Sequence, residues 1–338
     1  MALARPPSMQ ALRVVRAARP TAPRPARARG VALLLALIIV ALVSAAAAGM
    51  IWQQERAVAI EGAERARAQS AWILNGALDW ARLILREDER ANRQRGKAFD
   101  SLDEPWAQPL AEARLSAFLA ADRDNNADSG PEAFISGAIT DAQARLNLRG
   151  LVDAAGQPQP AMMAALTRLA DLVGAPGDTA ERLASALGQA RPGAPGTPWL
   201  MPARYEDLAW LGIDQATLAR LAPYVDLLPT PTTVNANTAP REVLAAIIDG
   251  LDLGGAERLV QQRQREPFRD QAELSAQLPQ TGVTADPARV SVTTQHFFVA
   301  GRLRLEDRVL EERSLLVRRN GNVDVLRRER ASFVMPVP

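Results

Sequence analysis

The chain has 338 residues, 48% of them apolar, with no Cys and a single His. That inventory excludes thiol nucleophiles, disulfides and Cys-based zinc sites, and removes most His-based acid–base chemistry. The net charge of +2 hides an asymmetry: residues 1–30 hold seven Arg, no Lys and no acid, so the remainder is mildly acidic and does not point to nucleic acid as a partner.

The basic segment ends in Arg29-Gly30. Val31 to Ile51 then runs VALLLALIIVALVSAAAAGMI, with no charge between Arg29 and Glu55. About 20 apolar residues in helix cross the hydrocarbon core of a bilayer, and Ala and Leu favour helix. Arg on the N-terminal side predicts a cytoplasmic leader, with everything after Ile51 outside, which in a bacterium is the periplasm. Two export signals compete for this segment. A secretory signal peptide would be cut at small residues such as Ser44 to Ala48. A pilin-type leader would be cut ahead of the apolar run, between Gly30 and Val31, and the run kept as an anchor. The continuation favours the second reading: Glu55 to Arg90 has no Pro, and Val58, Ala66, Ile73, Ala77, Ile84 and Leu85 recur near helical spacing among Arg and Glu. One helix is therefore predicted over 31–94, crossing the membrane at 31–51 and amphipathic beyond it.

Pro105 and Pro109 make 95–110 an irregular connection. Phe134 to Thr140 reads as a strand. Helices are predicted around Met162–Val173, Ala180–Leu187, Leu208–Ala222, Pro240–Asp249 and Ala256–Gln264, separated by Pro- and Gly-rich linkers at Gly156–Pro160 and Arg191–Pro202. The last residues alternate apolar and polar over His296–Leu305, Val309–Arg318 and Val323–Arg330. They are joined at Glu306-Asp307 and at Asn320-Gly321, a strong hairpin signal. The order predicts an α+β chain: a pilin-like fold with a long transmembrane and stem helix, an antiparallel sheet, and a large all-α insertion with helix-hairpin-helix-like (SAM-like) elements. The implied parts are a leader (1–30), anchor and stem (31–94), the first part of the head (95–158), the helical insertion (159–290) and the returning strands (291–338).

Several stretches occur together in this order: the leader and stem around Gly30-Val31, then SLDEPWAQP, ITDAQARLNLRGL, LPTPTTVNANTAPREVLAAI and REPFRDQAEL. Together they resemble the minor pseudopilin K family of type II secretion, over nearly the whole chain from Arg29 onward. The leader is longer than is usual for such proteins, which initiation at Met9 would partly explain. The resemblance implies cleavage after Gly30 by a prepilin peptidase, N-methylation of Val31, and an inner-membrane anchor with the body in the periplasm. It also implies assembly with the minor pseudopilins I and J at the tip of the major pseudopilin filament, where the protein helps to initiate assembly for export of folded proteins. Ordinary pilins carry Glu at the fifth mature position; here that position is Leu35. A carboxylate in lipid is costly unless paired, and its absence, the habit of the K family, removes the contact with a neighbour's N-terminal amine.

Competing motifs are weighed on their chemistry. Val234–Leu274 looks like a helix-hairpin-helix module, which would make the chain a membrane-anchored DNA-binding protein. Its turn, however, carries Asp249 and Asp252 where phosphate would sit, and Arg258, Arg263 and Arg265 read as a solvated face. The expectation is no nucleic acid. Asp122, Asp124, Asn126 and Asp128 place oxygen ligands on alternate residues, as in the first half of a Ca2+ loop, but Ala127 stands where the loop glycine belongs. A looser calcium loop and a solvated acidic turn both remain open. His296 is read as structural, and Asp103-Glu104 and Glu311-Glu312 as surface carboxylates without partners. Trp72, Trp80 and Leu83 are expected in the core beneath the sheet, with Trp106, Trp199 and Trp210 anchoring loops. No catalytic motif is present, so a non-enzymatic protein is expected.

Overall fold

The computed structural model describes residues 28–115, 133–191, 200–279, 282–305 and 308–334. The chain divides after Arg67 into two units. Helix α1 (Ala28–Gln94) runs through both.

Within 30–67 nearly every side chain is exposed, and from Val31 to Ile51 almost all of them are apolar. It is the single span among the described residues long and apolar enough to cross a membrane. An apolar surface all round a helix is stable only against lipid or protein. Charge returns after Trp52 with ion pairs along the helix, Arg65 to Glu61 and Arg67 to Glu64, the spacing that places side chains on one face.

In the second unit, α1 buries Leu74, Leu78, Ala81 and Leu85. These lie at intervals of four, three and four, a narrow stripe on one face. Gly96 ends the helix with φ +66°, and Lys97 N–H returns to Asn92 O at 2.8 Å, an αL stop that glycine adopts without a Cβ clash. The stripe faces a five-stranded antiparallel sheet ordered β1 (Leu110–Arg114), β2 (Ala133–Asp141), β7 (His296–Leu305), β8 (Arg308–Arg319) and β9 (Asn322–Val334). Phe297, Val299, Leu316 and Val323 meet the stripe, closed at one end by Trp106, whose ring packs edge-on to Phe297 at 5.2 Å. The β8–β9 turn uses Asn320 and Gly321, both with positive φ, as the Asn-Gly pair predicts.

Between β2 and β7 the chain builds a helical body on its own core. Its helices are α2 (Pro160–Val173), α3 (Thr179–Gln189), α4 (Gln215–Leu221), α5 (Arg241–Ile247), α6 (Leu253–Arg265) and α7 (Gln271–Ala276). Leu166, Leu169, Leu183, Leu244 and Leu259 are all nearly inaccessible at its centre. Leu146, Leu148 and Leu151, upstream of residue 159, belong to the same core. Two short parallel pairs tie the body together: β3 (Leu146–Asn147) with β4 (Val225–Asp226), and β5 (Val234–Asn235) with β6 (Val290–Ser291).

Three local expectations are corrected. The 208–222 segment is two pieces, a 3-10 turn at Glu206–Leu211 and then α4, because Gly212 takes φ +82° and Asp214 caps the new start by accepting from Thr217 N–H. The connection expected through 110 gives way at Leu110 to strand β1, too short and too exposed for a period-two signal. Trp72, Trp80 and Leu83 are not core: they are 76%, 46% and 43% exposed. At about 100° per residue, Trp72 and Leu83 fall on the side of α1 opposite the buried stripe.

Candidate functional site

Gly30 and Val31 lie in the opening turn of the described helix, and Val31 is 66% exposed. A Cβ built at Gly30 meets nothing within 4 Å. Packing does not require glycine there. Leu35 follows one turn on, exposed and apolar.

A concentration of buried charged and polar groups lies where the end of α1, the following loop, the sheet and the helical body meet. Arg318 on β8 is the hub. Its guanidinium donates to Asp88 on α1 at 3.0 Å, to Asp100 in the loop, and to Thr294 O. Asp100 also accepts from Thr294 N–H at 2.8 Å. Thr294 Oγ1 donates to Asp141 at the end of β2, and Asp141 accepts from Thr238 Oγ1, Asn235 Nδ2 and Gln143 N–H as well. The carboxylates and Arg318 are all buried. Removal from water pushes Asp88 and Asp141 up to about 6; Glu104 adds to the rise at Asp88, while Arg318 opposes it. Burial raises Asp100 too, against the pull of Arg318. Burial disfavours the charged guanidinium, but Asp100 and Asp88 outweigh it and hold Arg318 above its usual value.

Glu104 corrects the expectation of a surface carboxylate. It is 3% exposed and accepts from Asn92, Lys97, Ser101 N–H and the indole of Trp106. Glu312 is likewise buried, holding Arg328 and Arg330. Asp88, Asp100 and Glu104 come close enough to share a cation. Arg318 and Lys97 already occupy their oxygens, so the donor set does not fit a divalent ion without expelling a guanidinium. The four expected calcium ligands, Asp122, Asp124, Asn126 and Asp128, lie outside the described residues, as does Trp199. Trp106 is buried as an anchor, whereas Trp210 is 63% exposed.

His296 is buried, with Nδ1 against Gln143 Oε1 at 3.2 Å; burial first, then Arg319, lowers it to about 4. A neutral, enclosed imidazole supports packing. In the helical hairpin, Asp249 accepts from Arg289 and Arg168, and the Arg289 bond is the main cause of its lowered pKa. Asp252 accepts from Gly255 N–H at 2.6 Å and caps α6. The helix start that would receive a phosphate is filled by the chain's own carboxylate. Arg263 is not on a solvated face: it is buried, donates to Ala236 O, and burial lowers it to about 10.

The Arg318 hub was not found from sequence, since 88, 100 and 318 are distant and each reads as an ordinary charge. Asp141, Gln143, Asn235 and Thr238 carried a signal: they stand inside the ITDAQARLN and VNANTA stretches.

A long apolar N-terminal helix whose second half lies on an antiparallel sheet, with a helical body inserted between strands, defines a membrane-anchored pilin-like protein. Family profiles described as "Type II secretion system (T2SS), protein K" match residues 144–230 and 234–293. The type II secretion system protein K of Pseudomonas aeruginosa is 29% identical over 91% of this chain and 95% of its own length. That of Pectobacterium carotovorum is 27% identical over 91% of this chain and 98% of its own. A chain in the crystal structure of the GspK–GspI–GspJ complex of the type 2 secretion system of enterotoxigenic Escherichia coli superposes with a TM-score of 0.58. It has 20% identity, over 80% of this chain and 98% of that one. The chain is thus similar to the type II secretion system protein K family over nearly its whole length.

Proposed function

We propose that the chain is a minor pseudopilin that caps the tip of the type II pseudopilus and helps to start its assembly, anchored in the inner membrane with its body in the periplasm. The observation that carries the reading is the helical body inserted between β2 and β7. A body of that size has room at a filament end and would collide with the next subunit inside a stack. Leu35 agrees with it, because an end subunit needs no acidic contact to a neighbour's terminal amine. The role is structural, and the partners are counterparts of the I and J chains in the related complex, together with the major pseudopilin.

The precursor is cut by a prepilin peptidase between Gly30 and Val31, and Val31 is N-methylated. Gly30→Ala tests this with little risk to folding, since nothing packs on that position. Accumulation of the uncut precursor and loss of secretion are expected; normal processing and secretion would overturn the reading. Coexpression with the I and J counterparts should yield a stable ternary complex, and three separately eluting chains would exclude the tip assembly. A calcium ion held by Asp122, Asp124, Asn126 and Asp128 belongs to the same proposal on ligand spacing alone. Millimolar calcium should raise the melting temperature of the protein, and an unchanged melt counts against it.

A further inference from the structure

Beyond the apolar run, α1 gives its basic residues acidic partners at helical spacing. Arg65 has Glu61, Arg67 has Glu64, Arg82 has Asp79 and Arg90 has Glu87, each three or four residues away on one face. Arg56 is placed differently. The positions three and four residues to either side of it are Trp52, Gln53, Ala59 and Ile60, none of them acidic. The adjacent Glu55 points to another side of the helix. Among the described residues no carboxylate pairs with Arg56; its guanidinium carbon lies 5.8 Å from the centre of the Trp52 ring instead. Both side chains are exposed, Trp52 to 63%.

Their height along the helix decides what they meet. Trp52 stands 21 residues after Val31, which is about 32 Å of helix, against roughly 30 Å for the hydrocarbon core of a bilayer. With Val31 at the cytoplasmic boundary, Trp52 reaches the opposite one, where an indole is favoured. Arg56 is one turn further, about 6 Å, at the level of the phosphates. A guanidinium offers two parallel donors that match two oxygens of a phosphodiester, and the indole face supports its other side. Gln53 and Gln54, exposed at the same level, add amide donors.

We propose that Trp52 and Arg56 form a binding site for the phosphodiester of a phospholipid headgroup in the periplasmic leaflet. The ring rests against the upper acyl chain and the guanidinium bonds the phosphate above it. A phosphate held there fixes the depth of α1 in the bilayer and so keeps the Gly30–Val31 bond at the cytoplasmic boundary. The site presupposes the membrane-anchored orientation proposed above.

The test uses the full chain carrying fluorotryptophan, in liposomes of phosphatidylethanolamine and phosphatidylglycerol. Fluorine–phosphorus dipolar dephasing in solid-state NMR reads the approach of lipid phosphorus to each indole, and the Trp52 signal is the one lost in Trp52→Leu. Strong dephasing of that signal is expected, unchanged by added inorganic phosphate. In Arg56→Gln the hold on the phosphate should weaken about fivefold, the worth of one basic side chain at a bilayer surface, and the dephasing should fall. Arg65→Gln removes the same charge further from the bilayer and should leave it intact. Both Arg side chains are exposed, so neither change threatens the helix. Dephasing equal in Arg56→Gln and wild type, or lost equally in Arg65→Gln, would overturn the site, as would its loss on adding inorganic phosphate. Resistance of the wild type to alkaline extraction separates the two readings. A chain that resists extraction yet shows no dephasing at Trp52 overturns the site alone, whereas a chain released by alkali overturns the anchored orientation as well.

Discussion

At the scale of single residues, stability turns on charges withdrawn from water. Asp88 and Asp141 sit at about 6 when folded, against 3.8 unfolded. A carboxyl raised by folding binds its proton more tightly in the native state. Its contribution is therefore complete below the unfolded value and is lost as pH rises through about 6. A two-unit rise corresponds to on the order of 3 kcal/mol per group. The melting temperature should thus increase as pH falls from about 8 to about 5, before carboxylates held below the usual range, such as Asp249 beside Arg289, begin to protonate at more acidic pH. Asp88→Asn should flatten that slope; an unchanged slope would show that Asp88 is not its source. Arg318 makes the complementary case. Truncating it strands Asp88 and Asp100, both buried, so Arg318→Ala should cost about 3–5 kcal/mol in urea unfolding. A loss below about 1 kcal/mol, the scale of an exposed pair, would mean that water replaces the guanidinium.

Elements are decided by which face a residue occupies. On α1, Leu74 is buried and Trp72, two residues away, is 76% exposed. Leu74→Ala should cost about 2–5 kcal/mol, and Trp72→Ala should stay within about 0.5 kcal/mol. Similar losses for both would mean that the helix is rotated relative to the sheet. In the hairpin, Gly250 has φ +78°, and a Cβ there would lie 2.3 Å from Gly282 O, a backbone atom that cannot swing away. Gly250→Ala should therefore destabilise by more than about 1 kcal/mol, visible as an earlier melt of the helical body. The turn is thus specified by a close backbone approach and by Asp252 capping the next helix, the same features that leave no vacant helix start for phosphate.

For the whole molecule, one hydrogen-bonded chain from Asp88 through Arg318, Asp100 and Thr294 to Asp141 and Asn235 joins the end of the stem, the sheet and the helical body. Charge-bearing networks of this kind fix a relative arrangement more than they add stability. A head that must present one surface to its neighbours gains from such a junction. The other whole-molecule quantity is where the mature chain begins. Intact mass of protein extracted from membranes containing a prepilin peptidase should match a chain starting at Val31, with or without one methyl. A mass beginning near Ala48 would make the body a released periplasmic protein and remove the anchored role.

Much of this was legible in the sequence, for physical reasons that differ between parts. The membrane helix, the β7–β9 meander and the Asn320-Gly321 turn follow from local rules: uninterrupted apolar length, period-two alternation, and a dipeptide that tolerates positive φ. The family stretches located Asp141 and Asn235 without showing what they bond. What only the tertiary structure decided is which of two apolar faces of α1 is covered, since Leu74 and Trp72 are both apolar and only Leu74 faces the sheet. It also decided that Glu104 and Glu312 are interior, and that Arg318 meets acids more than two hundred residues away in sequence. A charged side chain carries no mark of its burial; that is set by the partners the fold brings to it.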